Sequence, residues 1–513
     1  MKRDGEAAPR PMRRWAYPAL AFLTGTFVTV FEFSAPSLFR AFFGQTIYVW
    51  ANVIGVILGA LAVGYAVGGR WADRTRTTAP LFGVLAFAGL YGLLTAWMGP
   101  WVAGALAGPE EYTQDAALRA FFAESLAASL LLFGPPLVAL GMATPLLVQR
   151  ASTHWPVGSA AGLIFGVGTL GSITGIYLTT YLLIDLWGVR ATVAGSGAAL
   201  VLLAAGGFLV AGRRRAAGIS AAASLLVLLG TAPPWGALPP DGARTLLTLE
   251  SPYQLVRVID RPGGAGRWLV FDEGMGTYHS ILRDPASGAT GAYYDAFAYA
   301  PEWAGGGGPF RICILGNAAG TMSQLFHERF GADQLEIEGV EIDRAVTQAA
   351  RAAMGLDDAA QPSLRIFHAD GRTFLRSRPE ASYDLILLDA YARQVSIPAA
   401  LVTREFFELV RSRLTDRGLL LVNVGALRTG GPLVRAVADT MAAGFGSPVA
   451  RAPLRDQQNV LLIAARRGAP PPPPAGIPLG VEESFGLHVA GGVVLTDDAC
   501  PIERLTARDL LLR

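Results

Sequence analysis

Arg311-Ile312-Cys313-Ile314-Leu315-Gly316-Asn317-Ala318-Ala319-Gly320 is the stretch on which the fold turns. Five mostly apolar residues of strand length run straight into a glycine-bounded turn. A helix is expected from Thr321 to Phe330, with Gly331 as its stop. A second apolar strand, Leu335 to Val340, ends in Glu341-Ile342-Asp343. Strand, glycine turn, helix and a second strand with an acidic end is the logic of a nucleotide site. The glycines, Gly316 and Gly320, let backbone approach a ligand closely, and an acid at the next strand end can accept both ribose hydroxyl protons.

Two further strands extend the pattern outward. Leu364 to Ala369 ends in Asp370-Gly371, and Tyr383 to Leu388 ends in Asp389-Ala390-Tyr391. Three successive strands thus present Glu341, Asp370 and Asp389 at their carboxyl ends, the edge of an open α/β sheet where ligands sit. Asp343, before Arg344-Ala345-Val346, reads instead as a helix cap. Thr403 to Leu414 reads as an amphipathic helix, Leu419 to Val424 as the fifth strand and Asn459 to Ala464 as a later one.

Here the chain resembles the spermidine synthases, the polyamine aminopropyltransferases built on the class I methyltransferase fold. The resemblance runs roughly from Leu249 to Ile463. It is carried by Glu250-Ser251-Pro252-Tyr253-Gln254, Asp295 to Tyr299, Gly316 to Gly320, Val340 to Asp343, Asp370-Gly371, and Tyr383 to Asp389 followed by Ile397-Pro398. It implies Asp389 as the group that receives the amine proton, Glu341 as the ribose ligand and Asp370 with Gly371 as the reader of the adenine amine. It further implies that Gln254 contacts the donor and that Tyr299, with Tyr391, lines the amine pocket. The implied donor is decarboxylated S-adenosylmethionine or S-adenosylmethionine itself, with no metal.

Three positions depart from the family pattern. Ala319 stands where an acid anchors the donor's amine, Ala392 where a second aspartate helps hold the diamine, and Ala300 where a His or Gln follows the tyrosine. The nucleoside half of the site is matched and the amine half is not. An ordinary S-adenosylmethionine methyltransferase therefore stays open, as does a membrane transporter or sensor whose soluble part binds a nucleoside or polyamine.

Composition frames these motifs. Of the 513 residues 52% are hydrophobic and only 16% charged, so part of the chain is expected in lipid. The net charge of +2 gives no basic face for nucleic acid. With 2 cysteines, Cys313 and Cys500, and 5 histidines, no zinc-type spacing exists.

Apolar runs dominate the first half: Trp15 to Phe39, Ile47 to Val67, Ala79 to Leu106, Phe121 to Val148, Gly158 to Ile184 and Val193 to Val210. Each approaches the roughly 20 residues a span needs. Ala216 to Trp235 is weaker, which leaves six or seven spans. Basic residues at Arg13-Arg14, Arg70 to Arg76, Arg150 and Arg213 to Arg215 fall on one side, so the amino terminus is expected in the cytoplasm. Gly68 to Arg74 resembles a cytoplasmic loop motif of major-facilitator transporters, and Glu32 is an ionisable group inside the first span.

The expected organisation is a multi-span α-helical membrane domain fused to an α/β class I methyltransferase-like (Rossmann-like) domain with a small amino-terminal β domain. A basic tail (1–14) precedes the transmembrane domain (15–236), the β domain with its linking helix (240–300) and the nucleotide-binding domain (301–467). A Pro-rich spacer and carboxyl-terminal segment (468–513) follow, with Pro470 to Pro474 read as a stiff spacer. Leu495 to Glu503 resembles a short acidic motif near the end of membrane-fused members. Expected partners are a polyamine-type amine and membrane lipid but no nucleic acid, with a homodimer as the assembly considered, at the cell membrane.

Overall fold

A computed structural model of the chain describes residues 12–43, 47–75, 77–106, 114–229, 243–262, 266–271, 278–282, 289–305, 309–391, 397–425, 428–455, 458–489, 491–502 and 504–506. The chain divides into two compact units, a helical one up to Ala237 and a mixed one from Leu238 onward.

The helical unit holds α1 (Ala16–Phe43), α2 (Ile47–Arg74), α3 (Ala79–Leu106), α4 (Gln114–Leu132), α5 (Gly134–Ala151), α6 (Val157–Leu178), α7 (Ile184–Val210) and α8 (Arg214–Leu229). Five helical spans are long and apolar enough to cross a membrane, and the bent pair α4/α5 makes a sixth if counted as one. The sequence shows one run there. The structure breaks it by 49° at Phe133, where Gly134-Pro135-Pro136 start a new helix because proline cannot donate backward. α6 continues into α7 through a π-helical turn at Thr179–Leu183, and a left-handed Gly188 (φ 76°) kinks α7 soon after.

α1 packs on α6, α2 on α5 and α3 on α7; α3 also meets α5, and α1 meets α7. Each principal pair crosses through glycine. A Cβ on Gly25 would lie 2.1 Å from the Gly168 carbonyl oxygen, one on Gly64 2.3 Å from that of Val138, and one on Gly89 2.6 Å from that of Gly197. Close backbone approach of this kind is a packing mode that needs no hydrophobic effect between helices.

The second unit opens with a four-stranded antiparallel meander, β1 (Arg244–Glu250), β2 (Leu255–Asp260), β3 (Arg267–Phe271) and β4 (Ser280–Leu282). Two short helices follow, α9 (Tyr294–Phe297) and α10 (Ala300–Ala304), where the sequence suggests one. The main domain then runs β5 (Phe310–Leu315), α11 (Thr321–Phe330), β6 (Leu335–Val340), α12 (Arg344–Ala353), β7 (Leu364–Phe367), α13 (Gly371–Arg376) and β8 (Tyr383–Leu388). It continues with α14 (Arg404–Arg413), β9 (Leu414–Gly425), α15 (Pro432–Phe445), β10 (Val449–Pro453), β11 (Asn459–Ala465), α16 (Val481–Ser484) and β12 (Gly486–Leu487).

The strand order is β12-β10-β11-β9-β8-β5-β6-β7. From β9 to β7 neighbours are parallel; β11 is antiparallel to β9, and β10 to β11. This is the doubly wound, class I methyltransferase-like sheet that the alternating motifs imply. The central strands are buried on both faces, which explains why they read as unbroken apolar runs rather than alternating ones. Strands are added outward to one side from β5 through β6 to β7 and to the other from β8 to β9, so the order of addition reverses between β5 and β8, the switch point at which such sheets open a ligand crevice.

Candidate functional site

The crevice is made by the turn after β5 and the loop after β8. Gly316 carries φ 91°, and a Cβ there would sit 2.3 Å from the Asp389 carbonyl oxygen. Only glycine fits both the conformation and the space. Ala318 also takes a left-handed φ of 46°, and Gly320 (φ 76°) starts α11.

Glu341, at the end of β6, is buried under this turn. Its Oε2 accepts from the Ala318 amide (3.1 Å) and its Oε1 from the Asp343 amide (3.0 Å). Burial pushes its carboxyl up to about 7, against the pull of those amides. Asp343 is the cap the sequence indicates. Its Oδ1 accepts from the Ala345 amide (2.9 Å) and its Oδ2 from the Ser251 hydroxyl (2.6 Å). Ser251 also orders the turn that carries Gln254, whose amide donates to its Oγ at 3.0 Å. The β1–β2 turn is thereby tied to the acidic end of β6.

Asp370 is exposed and serves as a cap, its Oδ1 accepting from the Thr373 amide at 2.8 Å. Gly371 follows it, with Leu315 and Leu401 as neighbours. Asp370 thus does structural work at the start of α13, the alternative role for strand-end acids.

Asp389 is half-buried at the end of β8, its amide donating to the Leu315 carbonyl (2.9 Å). Oδ2 accepts from the Tyr293 hydroxyl (2.8 Å) and Oδ1 from Asn423 Nδ2 (2.7 Å). Asn423 is itself oriented, because its Oδ1 accepts from Asn459 Nδ2 at 2.9 Å. Desolvation pushes the Asp389 carboxyl up to about 6, while Asn423 and Tyr293 favour its charged form. Tyr391 stands beside it with its hydroxyl committed to β9, donating to the Asn423 carbonyl and accepting from the Gly425 amide, both at 2.7 Å.

The tyrosine at Asp389 is Tyr293, which the sequence reading passed over. Tyr293 lies tilted against Tyr294 (4.1 Å between centroids), and Tyr278 sits against both rings, at 6.5 Å from Tyr293 and 6.3 Å from Tyr294. Burial with the nearby Asp295 and Asp389 charges pushes Tyr278 up to about 12. Tyr299 instead lies under the Arg329 guanidinium, 3.7 Å from its ring centroid, and Arg329 pairs with Glu302 at 3.0 Å. Among the described residues no hydrogen bond joins Tyr299 to Asp389. The signal for Tyr293 was the Tyr293-Tyr294-Asp295 triplet at a helix start, since a tyrosine there can reach across to a strand end.

The departures from the family pattern have physical counterparts. Ala319 is 5% exposed and packs with Val256, Val258, Leu269 and Phe271, while its amide donates to Ser280 Oγ (3.0 Å). An acid at 319 would be buried among apolar side chains. Ala300 is likewise fully buried. Ala392 lies outside the described residues. Beside the turn, the buried Asn317 side chain and both His279 ring nitrogens have no hydrogen-bond partner among the described residues. Burial lowers His279 to about 3, so the ring is neutral. Among the described residues no group of acids, histidines and cysteines could hold a metal.

No family model matches the chain. It is 33% identical over 161 residues to a probable polyamine aminopropyl transferase of Bifidobacterium longum, covering 31% of this chain and 34% of that one. It is 33% identical over 119 residues to a polyamine aminopropyltransferase of Vibrio vulnificus, covering 22% and 38%. A probable spermidine synthase structure from Corynebacterium glutamicum aligns at TM-score 0.36 and 22% identity, over 43% of this chain and 80% of that one. The chain thus spans little more than a third of the length of the curated relatives it matches. Over that matched stretch it is similar to the spermidine synthase family, in agreement with its own motifs.

Proposed function

We propose that the chain is a membrane-anchored transferase that alkylates an amine from an S-adenosylmethionine-type sulfonium donor. The observation that carries this reading is Asp389, held between Tyr293 and Asn423 at the switch point, with stacked tyrosines on one side. A carboxylate beside aromatic faces suits a cationic amine, which ring quadrupoles also attract. Glu341 and Asp370 supply acceptors for the ribose hydroxyls and the adenine amine. The Gly316–Gly320 turn gives the backbone room to approach the donor.

The chemistry asks little beyond placement. The amine nitrogen forms a bond to the carbon next to sulfur. The carbon–sulfur bond breaks, its electron pair stays on sulfur, and the sulfonium becomes a neutral thioether. Asp389 receives the proton the nitrogen must lose and passes it to solvent. Its raised pKa, about 6, leaves it ionised at neutral pH yet more basic than an ordinary aspartate.

One observation favours a second reading. Ala319 is sealed in an apolar cluster, so the turn offers no carboxylate for the ammonium of a decarboxylated donor. Intact S-adenosylmethionine carries the same ammonium but has its own carboxylate beside it, so the intact donor, and hence methyl transfer, needs an acid in this turn less. For the helical unit we propose six spans and a cytoplasmic amino terminus. The supporting facts are the five apolar spans, six with the bent pair α4/α5 counted as one, and the arginines at their same-side ends; α8, Arg214–Leu229, adds no further span among the described residues.

Calorimetry of the detergent-solubilised full chain against both donors tests the assignment, followed by product analysis with putrescine, spermidine and smaller amines. We expect micromolar or tighter binding of one donor. Asp389→Asn should bind it nearly unchanged and turn over about 10²–10⁴-fold more slowly. Full turnover by the Asn variant would remove Asp389 as the base. Tight donor binding with no amine product would move the assignment to methyl transfer.

A further inference from the structure

The carboxyl-terminal tail has no part in the function proposed so far, yet it contacts the start of α13, next to Asp370, and the segment that leads into α14. Asp497 accepts a two-pronged pair from Arg372, Nη1 to Oδ1 at 2.7 Å and Nη2 to Oδ2 at 2.6 Å. Arg372 is the second residue of α13, two places after Asp370, and the Arg372 side chain is only 12% exposed. The Thr403 hydroxyl, which caps α14, donates to the same Asp497 Oδ1 at 2.7 Å. The Asp497 amide donates to Glu405 Oε2 (3.0 Å), and the Arg404 amide to the Leu495 carbonyl (2.9 Å). Arg372 Nη1 also reaches the Ala400 carbonyl at 3.4 Å, in the segment that follows the Asp389 loop.

The tail is fixed at other points too. The Leu495 amide donates to Thr440 Oγ1 (2.9 Å), and Leu495 and Ile502 are buried in the core between sheet and helices. Asp497 therefore stands on a rigid support. The Arg372 and Thr403 hydrogen bonds hold its carboxyl down at about 2, so it is ionised throughout the neutral range. A bidentate arginine–carboxylate pair fixes direction as well as distance. Here it fixes the first turn of α13, and with it the carboxylate of Asp370. One Asp370 oxygen is spent on the Thr373 amide, so the aim of the other follows the helix start.

We propose that Asp497 is a positioning residue for the nucleoside end of the site: through Arg372 and Thr403 it sets where Asp370 points and how the segment from Ile397 to Thr403 lies. This rests on the reading of Asp370 as the group that faces the adenine amine. The tail is then part of the specificity machinery and not only a terminal brace.

Base discrimination provides a readout that simple loss of packing would not move. 5′-Methylthioadenosine and 5′-methylthioinosine differ at the exocyclic amine that Asp370 would accept from. In full-length protein we expect at least about tenfold preference for the adenosine form, lost in Asp370→Ala. Asp497→Asn, which keeps shape and removes charge, should lower that preference to within about threefold at unchanged melting temperature. The exchanged pair Arg372→Asp with Asp497→Arg should recover part of it. An Asp497→Asn protein that discriminates like wild type, while Asp370→Ala does not, would overturn the positioning role alone. Undiminished discrimination in Asp370→Ala would overturn the reading of Asp370, and the proposal with it.

Discussion

Asp389 and Glu341 are both carboxyls whose burial opposes ionisation, and this gives each a pH signature. Asp389 is pushed up to about 6. Its base form is lost as pH falls through that value, so we expect the acid limb of kcat/KM near pH 6 rather than near 4. Tyr293→Phe removes a donor that favours the charged form. The limb should then move upward, by less than about one unit for one hydrogen bond, and a pH–rate series on the variant would show it. A downward move would mean that Tyr293 does not stabilise the carboxylate. Glu341, pushed up to about 7, is half protonated at neutral pH in the ligand-free protein. If ribose hydroxyls donate to its ionised form, nucleoside affinity should weaken as pH falls below 7. Titrations at pH 6 and 8 that agree within error would argue against that contact. Both acids were legible because a strand-end carboxylate needs no long-range information. Tyr293 and Asn423 were not, because their value lies in meeting Asp389 across 96 and 34 residues of chain.

At the scale of elements, the turn between β5 and α11 is the least replaceable piece. Gly316→Ala would combine a left-handed φ with a 2.3 Å approach to the Asp389 carbonyl. Backbone strain alone contributes about 1–3 kcal/mol. We expect a clear drop in melting temperature and loss of donor binding together; a stable, active alanine variant would show that the two loops can part. Ala319→Asp tests the neighbouring position differently. It restores the acid of the family pattern but places it among Val256, Leu269 and Phe271. An uncompensated buried carboxylate destabilises by several kcal/mol, so the variant should fold poorly rather than gain affinity for the decarboxylated donor. Gained affinity would show that the cluster can open.

The central parallel strands β5, β8 and β9 were readable because both of their faces are buried over most of their length, so each is an apolar run ended by turn residues. β10 and β12 were missed, since a five-residue strand holding a proline and a two-residue edge carry little pattern. The proline run Pro470 to Pro474 reads as a spacer. In the structure the Pro471 carbonyl accepts from Trp303 Nε1 at 2.9 Å, and Pro470 is buried. The stiff segment lies docked on the domain, a contact that composition alone does not reveal.

For the whole molecule, reporter fusions after Arg76, Arg150 and Arg215 should all score cytoplasmic, and a fusion near Pro240 should agree with them. Opposite readings after Arg76 and Arg150 would break the six-span count. The apolar helices were legible from hydropathy; their partners were not, because the faces that pack and the faces left exposed are equally apolar. Number the spans from one to six, with α4/α5 as the fourth and α6 as the fifth. The principal pairs are then one with five, two with four and three with six, joined by three with four and one with six. Exchange the first three spans for the last three, and this set of partners returns to itself. The Gly89–Gly197 crossing is symmetric in detail: a Cβ on either would lie 2.6 Å from the other's carbonyl oxygen. A chain that crosses a bilayer three times ends on the side opposite its start. If these six spans cross a bilayer, two triplets with interchangeable contacts would be related as one three-helix design and its inverted copy.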